Sequence, residues 1–82
     1  MKEMLSVSVR TKEGLWYEGE AKWVRAVSPE GYFEVWPGHA PLLASLTQGT
    51  LTIQTPTDLK ERPITHGFLQ VENDQLLILL AE

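Results

Sequence analysis

Apolar and polar residues alternate along most of this chain. Leu5, Val7 and Val9 interleave with Ser6, Ser8 and Arg10, so a strand here has one buried and one wet face. In the next run Ala21, Trp23, Arg25 and Val27 share one face, and Lys22, Val24 and Ala26 share the other. Phe33 and Val35 oppose Tyr32, Glu34 and Trp36; if the first pair is core, Tyr32 and Trp36 point outward. Leu51 and Ile53 alternate with Thr50, Thr52 and Gln54, and Leu69 and Val71 oppose Phe68, Gln70 and Glu72. The last run, Leu76-Leu77-Ile78-Leu79-Leu80, does not alternate. Apolar on both faces, it is either a central strand or one whose outer face something covers.

Turn residues cut these runs short. Glycine or proline recurs at Gly14, Gly19, Pro29, Gly31, Pro37, Gly38, Pro41, Gly49, Pro56, Pro63 and Gly67, leaving no helix-length window with a helical period. Short runs between turn signals predict an all-β sandwich or barrel. Thr11-Lys12-Glu13-Gly14 and Glu72-Asn73-Asp74-Gln75 have hairpin lengths. Residues 55–60, around Pro56 and Asp58, predict a longer loop, and Pro41 turns residues 40–44 into a bend leading into a strand. Leu42 and Leu69 are expected in the core.

Composition narrows the chemistry. Eighty-two residues allow one domain, and a chain this small has a thin core. There are no cysteines, which removes disulfides, thiolate metal sites and a cysteine nucleophile. The net charge is −4, and the cations Lys2, Arg10, Lys12, Lys22, Arg25, Lys60 and Arg62 are scattered, which disfavours nucleic acid. The first ten residues hold no apolar run of leader length. No stretch approaches the roughly 18–20 apolar residues that span a bilayer, so a membrane is expected to be reached only by binding something in it.

No catalytic or metal-binding constellation emerges. The two histidines, His39 and His66, are too few for a ligand cluster. Ser6, Ser8, Ser28 and Ser45 lack a nucleophile-elbow context, and no glycine-rich loop ends in Gly-Lys-Ser/Thr. Glu18 and Glu20 share one face of a strand and are expected to be solvated. Three tryptophans, Trp16, Trp23 and Trp36, are more informative, because tryptophan serves both thin cores and protein interfaces. Pro37-Gly38-His39 encodes a tight turn with His39 at its exit, either tying down its own loop or touching a partner. From the residues alone, a small β module that binds a peptide or single-stranded nucleic acid is the alternative function.

The segment Pro37-Gly38-His39-Ala40-Pro41-Leu42-Leu43 also carries a resemblance. It is similar to the best marker of the N-terminal β-sandwich domain of the epsilon subunit of F-type ATP synthase, the mitochondrial delta subunit. Tyr17-Glu18-Gly19-Glu20 resembles the family's Phe-x-Gly turn, and Val27-Ser28-Pro29-Glu30-Gly31 its approach to the next strand. Leu46-Thr47-Gln48-Gly49-Thr50-Leu51-Thr52-Ile53 and His66-Gly67-Phe68-Leu69-Gln70-Val71 match further segments, and residues 73–82 match the terminal strand. Three positions depart: Glu34 and His66 stand where glycines are usual, and Trp23 where an aliphatic residue is usual.

The resemblance implies a ten-stranded sandwich of two five-stranded sheets, a single domain over residues 1–82. It implies a non-catalytic rotor subunit that links the gamma subunit to the membrane c ring, with no cofactor, catalytic residue or metal. Its expected place is the cytoplasmic side of the bacterial plasma membrane, as a peripheral protein. The implied partner-binding residues are Glu30, Gly31, Tyr32, Trp36, His39, Ala40, Pro41 and Leu42; the loop from Ser28 to Tyr32 is implied as the edge nearest the c ring, and the His39 to Leu43 region and an outer sheet face as the gamma contact. The family's C-terminal helical hairpin, which carries inhibition of hydrolysis and in some bacteria ATP binding, has no counterpart in these residues, so neither property is expected.

Overall fold

The first and last strands lie side by side in parallel at the centre of one sheet. The structure, a computed structural model, describes residues 3–81. Lys2, among the scattered cations, and Glu82, in the terminal motif, lie outside the described residues. The strands are β1 (Leu5–Thr11), β2 (Gly14–Ala21), β3 (Trp23–Ser28), β4 (Gly31–Val35), β5 (Leu42–Leu46), β6 (Gly49–Gln54), β7 (Leu59–Ile64), β8 (Gly67–Glu72) and β9 (Gln75–Leu80). They form a five-stranded sheet ordered β2-β1-β9-β8-β5 and a four-stranded sheet ordered β4-β3-β6-β7. The all-β sandwich is thus as expected, but the described residues hold nine strands and not ten. The longest connection, residues 36–41, is framed by Pro37 and Pro41, which have no amide hydrogen for a ladder.

β9 is central because both of its faces are apolar. It pairs in parallel with β1, Val9 beside Ile78, and antiparallel with β8, Leu69 beside Ile78. Leu76, Ile78 and Leu80 turn into the core. Leu5, Val7, Val9, Leu69 and Val71 join them from the same sheet, facing Val24, Ala26, Val35, Leu51, Ile53 and Ile64 of the other. Leu69 is fully buried, whereas Leu42 sits only half-buried at the rim of the core.

Two sequence expectations change. The run from Ala21 to Val27 is not one strand. The chain leaves the first sheet after Ala21, which pairs with Leu5, and enters the second at Trp23, which pairs with Gln54. Lys22 makes the crossing, its amide held by the Gln54 carbonyl at 2.7 Å. In β3 the buried alternates are therefore Val24 and Ala26, while Arg25 faces water. The expected loop at 55–60 is also shorter, because Thr55, only 3% exposed, knots it. Its hydroxyl accepts the Asp58 amide at 2.9 Å, its amide reaches the Asp58 carbonyl at 2.9 Å, and β7 starts at Leu59.

The hairpin turns follow their residues. Asn73 and Asp74 both have positive φ, 52° and 61°, as a two-residue type I′ turn requires. They are the only non-glycine residues described with positive φ, so Glu34 and His66 occupy ordinary backbone where the resemblance led to glycine. Gly67 is different. A Cβ there would run into the Leu79 carbonyl oxygen, so the close approach of β8 to β9 depends on its bare Cα.

One side of the sandwich is closed by cations over rings. In β2 Trp16 is the extra residue of a bulge, since Val9 pairs with Tyr17 and Arg10 with Leu15. The Arg62 guanidinium lies 5.5 Å from the Trp16 ring and the Lys60 ammonium 6.0 Å from the Tyr17 ring. These pairs join β7 to β2 across the gap between sheets.

Truncating Leu69 to alanine is expected to remove about 2–5 kcal/mol of stability by leaving a cavity between the sheets. The same change at Leu79, 46% exposed on the opposite face of the sheet, is expected to stay within about 1 kcal/mol. Urea unfolding monitored by tryptophan fluorescence separates the two.

Candidate docking surfaces

The turns gather at two opposite ends of the sandwich. One end holds the connection 36–41, the 55–58 turn and the 73–74 turn. The first and last of these are tied by the Gly38 amide on Asp74 Oδ1 at 2.7 Å, and the Ser6 amide of β1 donates to the Asp74 carbonyl at 2.8 Å. The other end holds the turns at 12–13, 29–30, 47–48 and 65–66. There the Thr47 amide reaches the Val27 carbonyl at 3.0 Å and the Ala81 amide the His66 carbonyl at 3.1 Å. The structure therefore divides the sequence-predicted residues. Glu30, Gly31 and Tyr32 lie at the second end; Trp36, His39, Ala40, Pro41 and Leu42 lie at the first.

At the first end, Pro37 and Gly38 form the tight turn that their residue types require. The His39 amide donates to the Trp36 carbonyl at 3.1 Å, and Gly38 has φ 87°, a conformation proline's neighbour adopts without strain only as glycine. His39 Nδ1 lies 2.6 Å from the carbonyl of Ala40. A carbonyl only accepts, so Nδ1 carries the proton and the ring braces its own loop. At the second end, the Glu30 amide donates to Ser28 Oγ at 3.3 Å, and the hydroxyl points back toward Glu30 Oε1 at 3.1 Å. Tyr32 is 57% exposed, but its hydroxyl accepts the Thr50 amide at 3.0 Å, which fixes the ring against the outer face of the four-stranded sheet.

Trp36 points outward at 51% exposure and does not stand alone. Its ring stacks on Trp23, centroids 6.1 Å apart and planes 29° apart. The Arg25 guanidinium lies 5.3 Å from the Trp23 ring, and Glu34 accepts Arg25 Nε at 3.0 Å, Arg25 Nη2 at 2.6 Å and Trp36 Nε1 at 2.9 Å. Register explains the convergence: Arg25 stands opposite Glu34 on neighbouring strands. Trp23 and Glu34, two of the three departures from the family pattern, thus belong to one surface cluster. The hydrogen bonds from Trp36 and then Arg25 hold the Glu34 carboxyl below the usual glutamate range. On the opposite side of the fold, burial raises the Tyr17 phenol above its ordinary value, with help from the charges of Asp58 and Glu20.

A second surface was not named by residue from the sequence. The outer face of the five-stranded sheet exposes Leu43, Phe68, Leu77 and Leu79, at 69, 53, 37 and 46%. Phe68 stands opposite Leu79, and Leu77 and Leu43 both flank Gln70, so they form one patch. The signal was present in the outward alternates of β8 and in the two-sided apolar last run. Beside the patch, an open trough runs between Ser6 and Ser8, the carboxylates Glu18 and Glu20, and Gln70 and Leu77. It does not enclose a small molecule. Among the described residues no group of three or more His, Asp or Glu side chains is placed to hold a metal ion, and no helix is long and apolar enough to cross a membrane.

These features define a β-sandwich whose exposed chemistry is aromatic and apolar surface. Residues 4–82 match the family described as the ATP synthase delta/epsilon chain, beta-sandwich domain, and the chain belongs to that family. It is 37% identical over 75 residues to the ATP synthase epsilon chain of Leptospira borgpetersenii, covering 92% of this chain and 59% of that protein. It is 36% identical over 81 residues to the epsilon chain of Campylobacter jejuni, covering 96% and 62%. The chain thus spans about three fifths of the length of these relatives. Among solved structures, one from the Euglena gracilis mitochondrial ATP synthase (OSCP/F1/c-ring) superposes with TM-score 0.92 at 16% identity, over 100% of this chain and 53% of that one. One from the central stalk/c-ring of the Tetrahymena thermophila enzyme gives 0.85 at 17%, over 99% and 65%. Identities this low establish the shared fold.

Glu34 is expected to titrate below an ordinary glutamate, whose reference value is about 4.3. Because its folded value is depressed, its contribution to stability is present above the unfolded pKa and is lost as pH falls through the folded one. Replacing Trp36 by phenylalanine keeps the ring and removes the N–H donor. Carboxyl NMR titration of the variant should then show the Glu34 midpoint rising toward the reference.

Proposed function

We propose that residues 1–82 act as the β-sandwich domain of an epsilon-type subunit in the central stalk of an F-type ATP synthase. In this reading the domain binds the gamma subunit and the polar loops of the membrane c ring, so that ion-driven rotation of the ring turns gamma. It works on the cytoplasmic side of a bacterial plasma membrane, without inserting into the bilayer and without doing chemistry of its own. The observation that carries the reading is the division of the candidate residues between two opposite ends. A subunit that joins two partners needs two separate surfaces, and an enzyme needs a convergent site. Glu30, Gly31 and Tyr32 face the c ring in this reading. Trp36, with His39, Ala40, Pro41 and Leu42, faces gamma, and the apolar patch of Leu43, Phe68, Leu77 and Leu79 adds area that a partner covers. Membership of the delta/epsilon family supports the assignment, as do the central-stalk and c-ring assemblies in which its structural likenesses occur. The trough is open to solvent, and the three carboxylates Glu18, Glu20 and Glu72 along it disfavour a nucleic acid.

The purified chain is expected to form a complex with the matching gamma subunit on size exclusion and to show no ATP hydrolysis alone. Trp36→Ala should weaken that complex by roughly 30-fold, the effect of losing a hot-spot aromatic worth about 2 kcal/mol, with little change in Tm. Glu30→Lys should leave gamma binding intact and loosen attachment to the c ring in reconstituted complexes. A chain that stays monomeric beside gamma at micromolar concentration refutes the reading.

A further inference from the structure

Elsewhere among the described residues, glycine supplies positive φ where a turn needs it, as at Gly14, Gly31 and Gly38. The 73–74 turn is the exception, with Asn73 at 52° and Asp74 at 61°. Both central places of a type I′ turn need positive φ, and Asn-Gly is a favoured pair. Asn73 suits the first place. At the second, the turn alone favours glycine, because a Cβ is strained there. Asp74 therefore holds a position that its own turn would fill better with another residue.

Its side chain acts outside that turn. Asp74 is half-buried, whereas Asn73 beside it is exposed. Asp74 Oδ1 accepts the Gly38 amide at 2.7 Å, across 36 residues of sequence. A carboxylate on a backbone amide makes a charge-assisted hydrogen bond, stronger than one between neutral groups. The support behind it is firm. The Asp74 carbonyl accepts the Ser6 amide at 2.8 Å near the start of β1, and β1 pairs with β9.

The loop that receives this bond needs a support. Residues 36–41 carry the chain from β4 in one sheet to β5 in the other. The bonds from His39 to the Trp36 and Ala40 carbonyls stay within the loop. Glu34 and Trp23 hold the Trp36 ring where the loop starts. Asp74 holds its middle, and so ties it to the five-stranded sheet.

We infer that Asp74 is a positioning residue for the 36–41 loop: its carboxylate fixes the Pro37-Gly38 turn and so sets how Trp36 and His39 are presented to the gamma subunit. The inference rests on the rotor reading above and adds to it the residue that holds the site in place. Asp74 acts through the loop and not by touching the partner. A loop fixed before docking has less freedom to lose on binding, so the clamp is felt as affinity.

Two substitutions separate this role from the turn's own stability. Asp74→Gly removes the carboxylate and gives the turn the Asn-Gly pair it favours. Asp74→Asn keeps an oxygen acceptor at the same reach. Each full chain is compared with the unsubstituted one by thermal unfolding, by exchange of the Gly38 amide and by titration with the matching gamma subunit. For Asp74→Gly the expected Tm lies within about 5 °C of the original, because released strain offsets the lost hydrogen bond. Its Gly38 amide should exchange at least about threefold faster. Its gamma complex should be at least about threefold weaker. Asp74→Asn should restore most of both. Unchanged exchange at Gly38 in Asp74→Gly, undiminished gamma binding by that variant, or an Asp74→Asn chain as weak as Asp74→Gly overturns the inference and leaves the rotor reading standing. A Tm that falls beyond the expected range marks a merely structural role and overturns it too. Failure of the unsubstituted chain to bind gamma overturns both.

Discussion

The placement of β9 constrains everything else in this fold. Its residues are apolar on both faces, so it can neither form an ordinary edge nor present one face wholly to water without consequence. Flanked by β1 and β8, it buries Leu76, Ile78 and Leu80 and satisfies its backbone on both sides. The remaining alternates, Leu77 and Leu79, then have nowhere to go but the outer surface. The parallel pairing with β1 also brings the first and last strands together, so the whole intervening chain must fold round as one long connection between them. The apolar patch is therefore a product of the core's own construction and not an ornament on a finished sandwich.

The inward faces of β1, β6 and β8 were legible from the sequence, because burial imposes a period of two that shows in residue types. Leu5, Val7 and Val9, Leu51 and Ile53, and Leu69 and Val71 all face the core as their alternation predicts. The chain's passage between sheets was not legible. Ala21 and Trp23 keep the same alternation on either side of Lys22, so a change of sheet leaves no mark in the pattern. The knot at Thr55 was hidden for a related reason: a threonine hydroxyl that accepts two local amides looks, in sequence, like any other polar loop residue.

The candidate surfaces show the same limit in sharper form. That Tyr32 and Trp36 point outward follows from counting along one strand. That Trp36 stacks on Trp23, and that Glu34 holds both Arg25 and Trp36, depends on the register between strands, which is a non-local property. Seen one at a time, Trp23 and Glu34 are departures from a family pattern. Seen together they are compensating: the larger ring gains a stacking partner and a cation over its face, and the added carboxylate neutralises that cation. Both occupy ordinary backbone geometry, so no conformational requirement for glycine stands against the exchange at Glu34.

The two ends of the sandwich are joined by short, direct paths. β4 begins at Gly31 and ends at Val35, so Glu30 and Trp36, one candidate at each end, flank a single strand of five residues. At about 3.3 Å per residue this strand spans roughly 17 Å. It is hydrogen-bonded to β3 along its length, and Arg25 to Glu34 and Trp23 to Trp36 clamp the same pair of strands on their outer side. A deep catalytic cleft would interrupt such ladders. For a role in which one end is held by one partner and the other end by another, an unbroken sheet with no cleft is the more useful structure.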